Sequence, residues 1–325
     1  MNALAISGNA KKEPSLPLRS FAWAVLVYFV AVILWGTLVR ATGAGAGCGN
    51  HWPLCNGTVM QHAASVNTLI EFTHRVTSGL SLLAVVALLL WTWAATERGH
   101  LARMASVGAV ALTVMEAILG ALLVALGLTA QSQSPLRPLF LALHLTNTLL
   151  LLAALALTAH LLSRKSGYRR ETIQLVAPWG ALLGILVVMA VGVTGSLAAL
   201  GDTLFPASSL AGALTQEFAH GVASSSGWLL RWRWVHPAIA LVASAFLIWI
   251  LLRAARATGK QRPRGLSALV LVLLTSVYLL GVLDVALLAP LWAQVAHLLA
   301  ADSLWVTLVV LTAGLTLEPV EEKKL

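Results

Sequence analysis

Eight long apolar runs, near residues 21–40, 69–95, 101–128, 138–163, 175–200, 233–255, 265–289 and 291–317, take up most of this 325-residue chain. A helix of about 20 residues crosses roughly 30 Å of hydrocarbon, so each run is long enough to span a bilayer. Lipid offers no hydrogen bonds to a backbone, which leaves only helices and closed barrels as spanning structures. Barrel strands would be about ten residues long and would alternate in polarity, and nothing here alternates. Only 10% of the residues are charged and 59% are hydrophobic, too little polarity for the surface of a soluble domain. The expected fold is therefore an all-α integral membrane protein, with eight transmembrane helices arranged as two pseudo-symmetric four-helix bundles. The division between the last two helices rests on Pro290.

A formal charge of +9 would suit nucleic acid if it were clustered, but its distribution follows the topology instead. With the N-terminus inside, the inner segments carry Lys11, Lys12, Arg19, Arg98, Arg103, Arg164, Lys165, Arg169, Arg170, Arg253, Arg256, Lys260, Arg262, Arg264, Lys323 and Lys324, which is 16 of the 21 basic residues. The outer segments hold Arg40, Arg137, Arg231 and Arg233, and Arg75 lies within a helix. This is the positive-inside bias, and it predicts a multi-pass cell-membrane protein with both termini cytoplasmic. The lipid bilayer is the expected partner and nucleic acid is not. Lys11, Lys12 and Arg19 before an apolar run, with Ala44-Gly45-Ala46 after it, have the outline of a cleavable signal. The run exceeds the usual signal core of about 7–15 residues, so it reads as a retained helix.

Residues 1–164 and 165–325 each hold four apolar runs, with a long outer loop after the first run of each half. Val39–Gly43 (VRATG) echoes Val191–Gly195 (VGVTG), and Leu119–Leu123 (LGALL) echoes Leu280–Asp284 (LGVLD). His74 and His236 fall early in the second run of each half, and His144 and His297 early in the fourth. Both halves start in the same direction, so the repeat is parallel, an arrangement also met in transporters.

Those four histidines share a depth of about 8–10 Å below the outer surface at 1.5 Å per residue. A lone intramembrane histidine can simply bond a neighbouring helix. Four at matched positions of a repeat point to function. Two imidazoles per half on neighbouring helices suit axial coordination of a haem iron. Zinc would want four ligands at one point. His160 reads as a residue whose ring reaches the inner interface, and His51, His62, His100 and His220 as loop residues.

Glu71 precedes His74 by three residues, which puts both on one helix face. Beside a haem edge it could relay protons or stabilise a cationic intermediate. It could equally be an interfacial carboxylate facing water near a helix start. Glu116 and Asp284 read as packing or proton-path groups. Arg40, Arg75, Arg231 and Arg233 stand near the outer level, where haem propionates would need cations, and Arg75 has Glu71 as an alternative partner. Cys48 and Cys55 are the only cysteines, seven apart in a glycine-rich outer loop. That spacing allows a disulfide, as a structural staple or as a reducible, electron-exchanging bond.

Thr42-Gly43, then Gly47-Cys48-Gly49-Asn50-His51-Trp52-Pro53-Leu54-Cys55-Asn56-Gly57, then Ile70-Glu71-Phe72-Thr73-His74-Arg75, with Gly120-Ala121-Leu122 and Ala142-Leu143-His144 further on, closely resemble the haem A synthase family of cytochrome oxidase assembly. The resemblance covers the topology of the whole chain, with specific motifs in the N-terminal half and weak ones in the C-terminal half. It implies an oxidoreductase that converts the C8 methyl of haem O to a formyl group, giving haem A for cytochrome c oxidase. It also implies substrate haem between His74 and His144, a haem B cofactor and its iron between His236 and His297, Glu71 as the functional glutamate, and Cys48–Cys55 as the outer cysteine pair. An external electron donor or acceptor, a haem O synthase and oxidase assembly factors are the partners it implies, and oligomers are open. Two departures stand out: His236-Pro237 where His-Arg is common, and a second outer loop, Gly201-Asp202-Thr203-Leu204-Phe205-Pro206, without cysteines. A di-haem electron-transfer cytochrome and a haem transporter are the rival readings.

Overall fold

The computed structural model describes residues 14–58, 64–164, 173–175, 179–219, 225–257 and 264–319. His62, His220, Lys11, Lys12, Lys165, Arg169, Arg170, Lys260, Arg262, Lys323 and Lys324 lie outside the described residues. In chain order the helices are α1 (Leu16–Ala41), α2 (Val66–Ala95), α3 (Leu101–Ala125), α4 (Leu136–Ser163), α5 (Trp179–Leu204), α6 (Leu210–Ala219), α7 (Ser225–Ala257), α8 (Arg264–Ala286) and α9 (Leu291–Thr316). All but α6 contain a span long and apolar enough to cross a membrane, which makes eight among the described residues. The all-α reading holds with one small addition. Strands β1 (Ile173–Leu175) and β2 (Leu317–Pro319) pair antiparallel, Ile173 opposite Pro319, and join the chain after α4 to the chain after α9.

Local chemistry sets the helix ends. Ser65 caps α2 by accepting from the Thr68 N–H at 3.2 Å, and His100 Nδ1 caps α3 by accepting from the Ala102 N–H at 3.1 Å. Burial above all, and then Arg103, hold the His100 imidazole below its ordinary range against the opposing pull of Glu97. After α1 the chain turns through Gly43 at φ +69°. Leu288 and Ala289 adopt left-handed φ values of 64° and 56° before Pro290 opens α9, so the division at Pro290 is real. Pro237 lies inside a continuous α7. That helix begins at Ser225, well before the expected 233, so Arg231 and Arg233 stand within it and not in a loop. The second outer segment also contains α6, which was too short to announce itself as an apolar run.

Helices α1, α2, α3 and α4 pack in a ring, each on the next and α4 back on α1. Helices α5, α7, α8 and α9 repeat that ring. The rings meet mainly through α4, which packs on both α5 and α9. At this seam Trp305, fully buried, donates from Nε1 to the Leu149 carbonyl at 2.7 Å. Close by, a Cβ on Gly192 would stand 3.1 Å from Leu149 Cδ1. Lipid supplies no hydrophobic drive between helices, so close packing and an interhelical bond of about 0.6–2 kcal/mol are what such a seam relies on.

Candidate functional site

Each of the four intramembrane histidines lies against a glycine of the neighbouring helix. A Cβ on Gly36 of α1 would meet the His74 ring of α2 at 3.1 Å, and one on Gly195 of α5 would meet the His236 ring of α7 at 3.0 Å. On Gly281 of α8 it would meet the His297 ring of α9 at 3.0 Å, and on Gly120 of α3 the His144 ring of α4 at 3.9 Å. The missing side chains therefore leave a cradle for an imidazole in four places. His74 and His144 stand on α2 and α4 of the first ring, and His236 and His297 on α7 and α9 of the second. His74 and His144 both stand eight residues past the first residue of their helices, Val66 and Leu136.

The first echo noted in the sequence does not mark equivalent positions. Gly195 backs His236, but the residue that backs His74 is Gly36, seven before Gly43. Gly43 has already left α1 in a left-handed turn. The second echo is structural, since Gly120 and Gly281 back His144 and His297.

Around His74 the outer loop clamps down on α2. Glu71 is only 3% exposed, which removes the reading of a carboxylate facing water. Its Oε2 accepts from the Cys48 N–H at 2.8 Å and its Oε1 pairs with Arg75 Nη2 at 2.5 Å. Arg75 Nη1 in turn donates to the His51 and Leu54 carbonyls, at 2.5 and 2.8 Å. Cys48 and Cys55 are disulfide-bonded and fully buried. Thr68 Oγ1 donates to the Gly47 carbonyl at 2.9 Å, and a Cβ on Gly47 would strike the Asn67 backbone at 2.6 Å, so only glycine allows this approach. Disulfide, loop carbonyls, Arg75 and Glu71 thus form one unit, with His74 one turn further into the membrane. Asn50 and Trp52 of the loop border an open apolar pocket of about 490 Å³ that is lined also by Leu82 of α2 and by Val114, Ala117, Ile118 and Ala121 of α3.

The outer arginines already have protein partners. Arg40 reaches across the seam to the Ala199 carbonyl (2.9 Å), Thr203 Oγ1 (2.6 Å) and Gln294 Oε1 (2.8 Å). Arg233 pairs with Asp202 at 2.5 Å and donates to Gln216 Oε1 and the Phe205 carbonyl. Arg231 is half-buried in the same helix. Sequence reasoning gave no site role to Arg137, buried two turns outward of His144 and within electrostatic range of Arg40. It read Glu116 as a packing or proton-path group without linking it to His144, yet Glu116 Oε1 lies 3.3 Å from His144 Nδ1.

Two imidazoles per half, each in a glycine cradle, fit the axial ligation of an iron already held by a macrocycle. His74 Nδ1 is buried and makes no hydrogen bond, while His236 Nδ1 lies 3.1 Å from Thr194 Oγ1. Among the described residues no group of three or more His, Cys, Asp or Glu could hold a bare metal ion. A family model described as cytochrome oxidase assembly protein matches residues 19–309, nearly the whole chain. The chain belongs to this family. Relatives include the haem A synthase of Bacillus licheniformis, 31% identical over 75% of this chain and 78% of that protein. Another is the haem A synthase of Alkalihalophilus pseudofirmus, 35% identical over 43% of this chain and 44% of that protein. Two Thermus thermophilus proteins named protohaem IX farnesyltransferase are 42% identical over 91% of this chain. The chain spans about half, 48%, of their length. The relatives share a link to haem in their names, and the chain shares with this family a helical membrane architecture.

Proposed function

We propose that the chain is a haem A synthase, which oxidises the C8 methyl of haem O to the formyl group of haem A. Residues 1–164 form the substrate bundle, with His74 and His144 as ligands of the substrate haem. Residues 165–325 form the cofactor bundle, with His236 and His297 holding haem B. The observation that carries the reading is the buried unit of Glu71, Arg75 and the disulfide loop, one helical turn from His74. A passive electron carrier has no need of a buried carboxylate clamped by an arginine and a disulfide loop one turn from a ligand.

The methyl carbon is oxidised by four electrons in two hydroxylations. Each inserts one oxygen atom, with two electrons of the carbon passing to an external oxidant such as dioxygen, and the geminal diol formed by the second loses water to give the aldehyde. Haem B supplies one-electron transfer when bound. The residues of the chain bind and orient the substrate, and the loop over α2 keeps bulk water from the methyl. Glu71, held between the Cys48 N–H and Arg75, is placed to take or give a proton at its carboxylate. The apolar pocket bordered by Trp52 suits the farnesyl tail of haem O. The charge asymmetry of the loops supports a cell-membrane location with both termini cytoplasmic and the haem sites towards the outer face.

Farnesyl transfer, the activity in the names of the Thermus relatives, would deliver this substrate, which makes a haem O synthase the natural partner. The test is chromatographic identification of haems from aerated cells that make haem O but no haem A of their own. Haem A should appear with this chain and vanish with His74→Ala. Haem O left unconverted, with haem B bound to the chain, would favour an electron-transfer cytochrome, and absence of bound haem a transporter.

A further inference from the structure

A glycine backs each of the four imidazoles, but the other groups that meet them differ. Four residues before Gly195 stands Val191 and four before Gly281 stands Val277, neither with a polar side chain, and His236 Nδ1 lies 3.1 Å from the neutral Thr194 Oγ1. Four before Gly120 stands Glu116, a carboxylate. Its Oε1 lies 3.3 Å from His144 Nδ1. Asn147 and Thr148, both buried in α4, fix that carboxylate: Asn147 Nδ2 donates to Oε2 at 2.6 Å and the Thr148 hydroxyl donates to Oε1. Asn147 is itself anchored on the Leu112 carbonyl at 2.9 Å, so the group is built from α3 and α4 together. Neither Nδ1 of the substrate bundle makes a hydrogen bond, and the close approach of the Glu116 carboxylate is what sets His144 apart from His74.

A carboxylate behind a ligating imidazole pulls on the Nδ1 proton and makes the ring a more basic, more electron-donating ligand than a neutral carbonyl does. Stronger donation stabilises ferric over ferrous iron and tightens that iron–nitrogen bond. Resting on the haem reading above, we infer that Glu116 is a positioning residue that makes His144 the firmly held, strongly donating ligand of the substrate bundle, with His74 the weaker and exchangeable one. The two haem sites, equivalent in backbone and ligand type, then differ in potential, and the substrate haem is the more easily oxidised. The ligand that can yield is the one beside Glu71 and the disulfide loop.

The test is a spectroelectrochemical titration of the purified full chain carrying haem in both bundles, with His74→Ala and His144→Ala variants assigning the signals. Glu116→Gln should keep both haems and raise the ferrous-to-ferric ratio of the substrate-bundle haem about tenfold at fixed potential, a shift of 59 mV for a one-electron couple. The cofactor-bundle haem should stay where it is, and Glu116→Asp should recover part of the shift. Carbon monoxide should bind the ferrous substrate bundle of His74→Ala with His144 still ligated. An unmoved substrate-bundle potential in Glu116→Gln, with the haem present, would overturn the inference. If neither histidine variant altered any haem signal, the haem reading itself would fall.

Discussion

Alanine at the four cradle glycines should give a graded series, and the grading follows from distance. A Cβ at Gly195 or Gly281 would lie 3.0 Å from the imidazole it backs, 0.4 Å inside the 3.4 Å at which ordinary contact begins; at Gly36 it would lie at 3.1 Å, and at Gly120 at 3.9 Å. In the first three cases the ring must shift or the helices must part, and such overpacking costs about 1–3 kcal/mol. If that cost falls on the ligated geometry, haem affinity drops about 5- to 150-fold, at 1.4 kcal/mol per factor of ten. At Gly120 the contact is ordinary, and alanine gains up to about 1 kcal/mol of helix propensity over glycine. Gly120→Ala should therefore be neutral or mildly stabilising. The assay is haem bound per chain after purification, with thermal melting of each variant to separate lost ligation from lost fold. Equal haem loss at all four positions, or greater loss at Gly120 than at Gly195, would refute the cradle argument.

Glu71→Ala should leave haem bound and stop conversion at haem O or a hydroxylated intermediate, read by chromatography; it should also lower stability by about 1–3 kcal/mol, because the buried Cys48 N–H and an Arg75 donor lose their acceptor. Reduction of Cys48–Cys55, which are seven residues apart, should lower the melting free energy by about 2–3 kcal/mol from loop-closure entropy and loosen the clamp on Arg75. Acidification should destabilise the α2–α3 connection: the His100 pKa lies below its ordinary 6.5 in the folded chain, so the unfolded chain binds the proton first and stability falls as pH drops below about 6.5. His100→Asn, which keeps a capping acceptor, should flatten that part of the pH–stability curve.

The eight spans and the four histidines were legible because length, apolarity and the rarity of ionisable groups in lipid are properties of the chain alone. The ends of the helices were less so. Arg231 and Arg233 look like loop residues by charge, yet Arg233 is neutralised inside α7 by Asp202, a partner 31 residues away that no local pattern shows. Glu116 read as a packing or proton-path group because its link to His144 crosses from α3 to α4. A carboxylate 28 residues before a histidine carries no periodic signal. The same holds for Arg40, whose partners on α5 and α9 make it a tie across the seam between the rings. The glycine cradles were half visible: the echo containing Gly120 and Gly281 was structural, whereas the one pairing Gly43 with Gly195 was two helical turns out of register. Similar residues recur in membrane helices for many packing reasons, and only the position of the ring identifies the glycine that matters.

The central claim is that paired histidines of each half hold one haem apiece. Electron paramagnetic resonance of the oxidised, purified chain, with iron and protein counted on the same sample, tests it most directly. Two low-spin bis-imidazole haems per chain, one abolished by His74→Ala or His144→Ala and the other by His236→Ala or His297→Ala, is the result expected. Haem signals that survive all four substitutions, or a folded chain that binds no iron, would contradict the account.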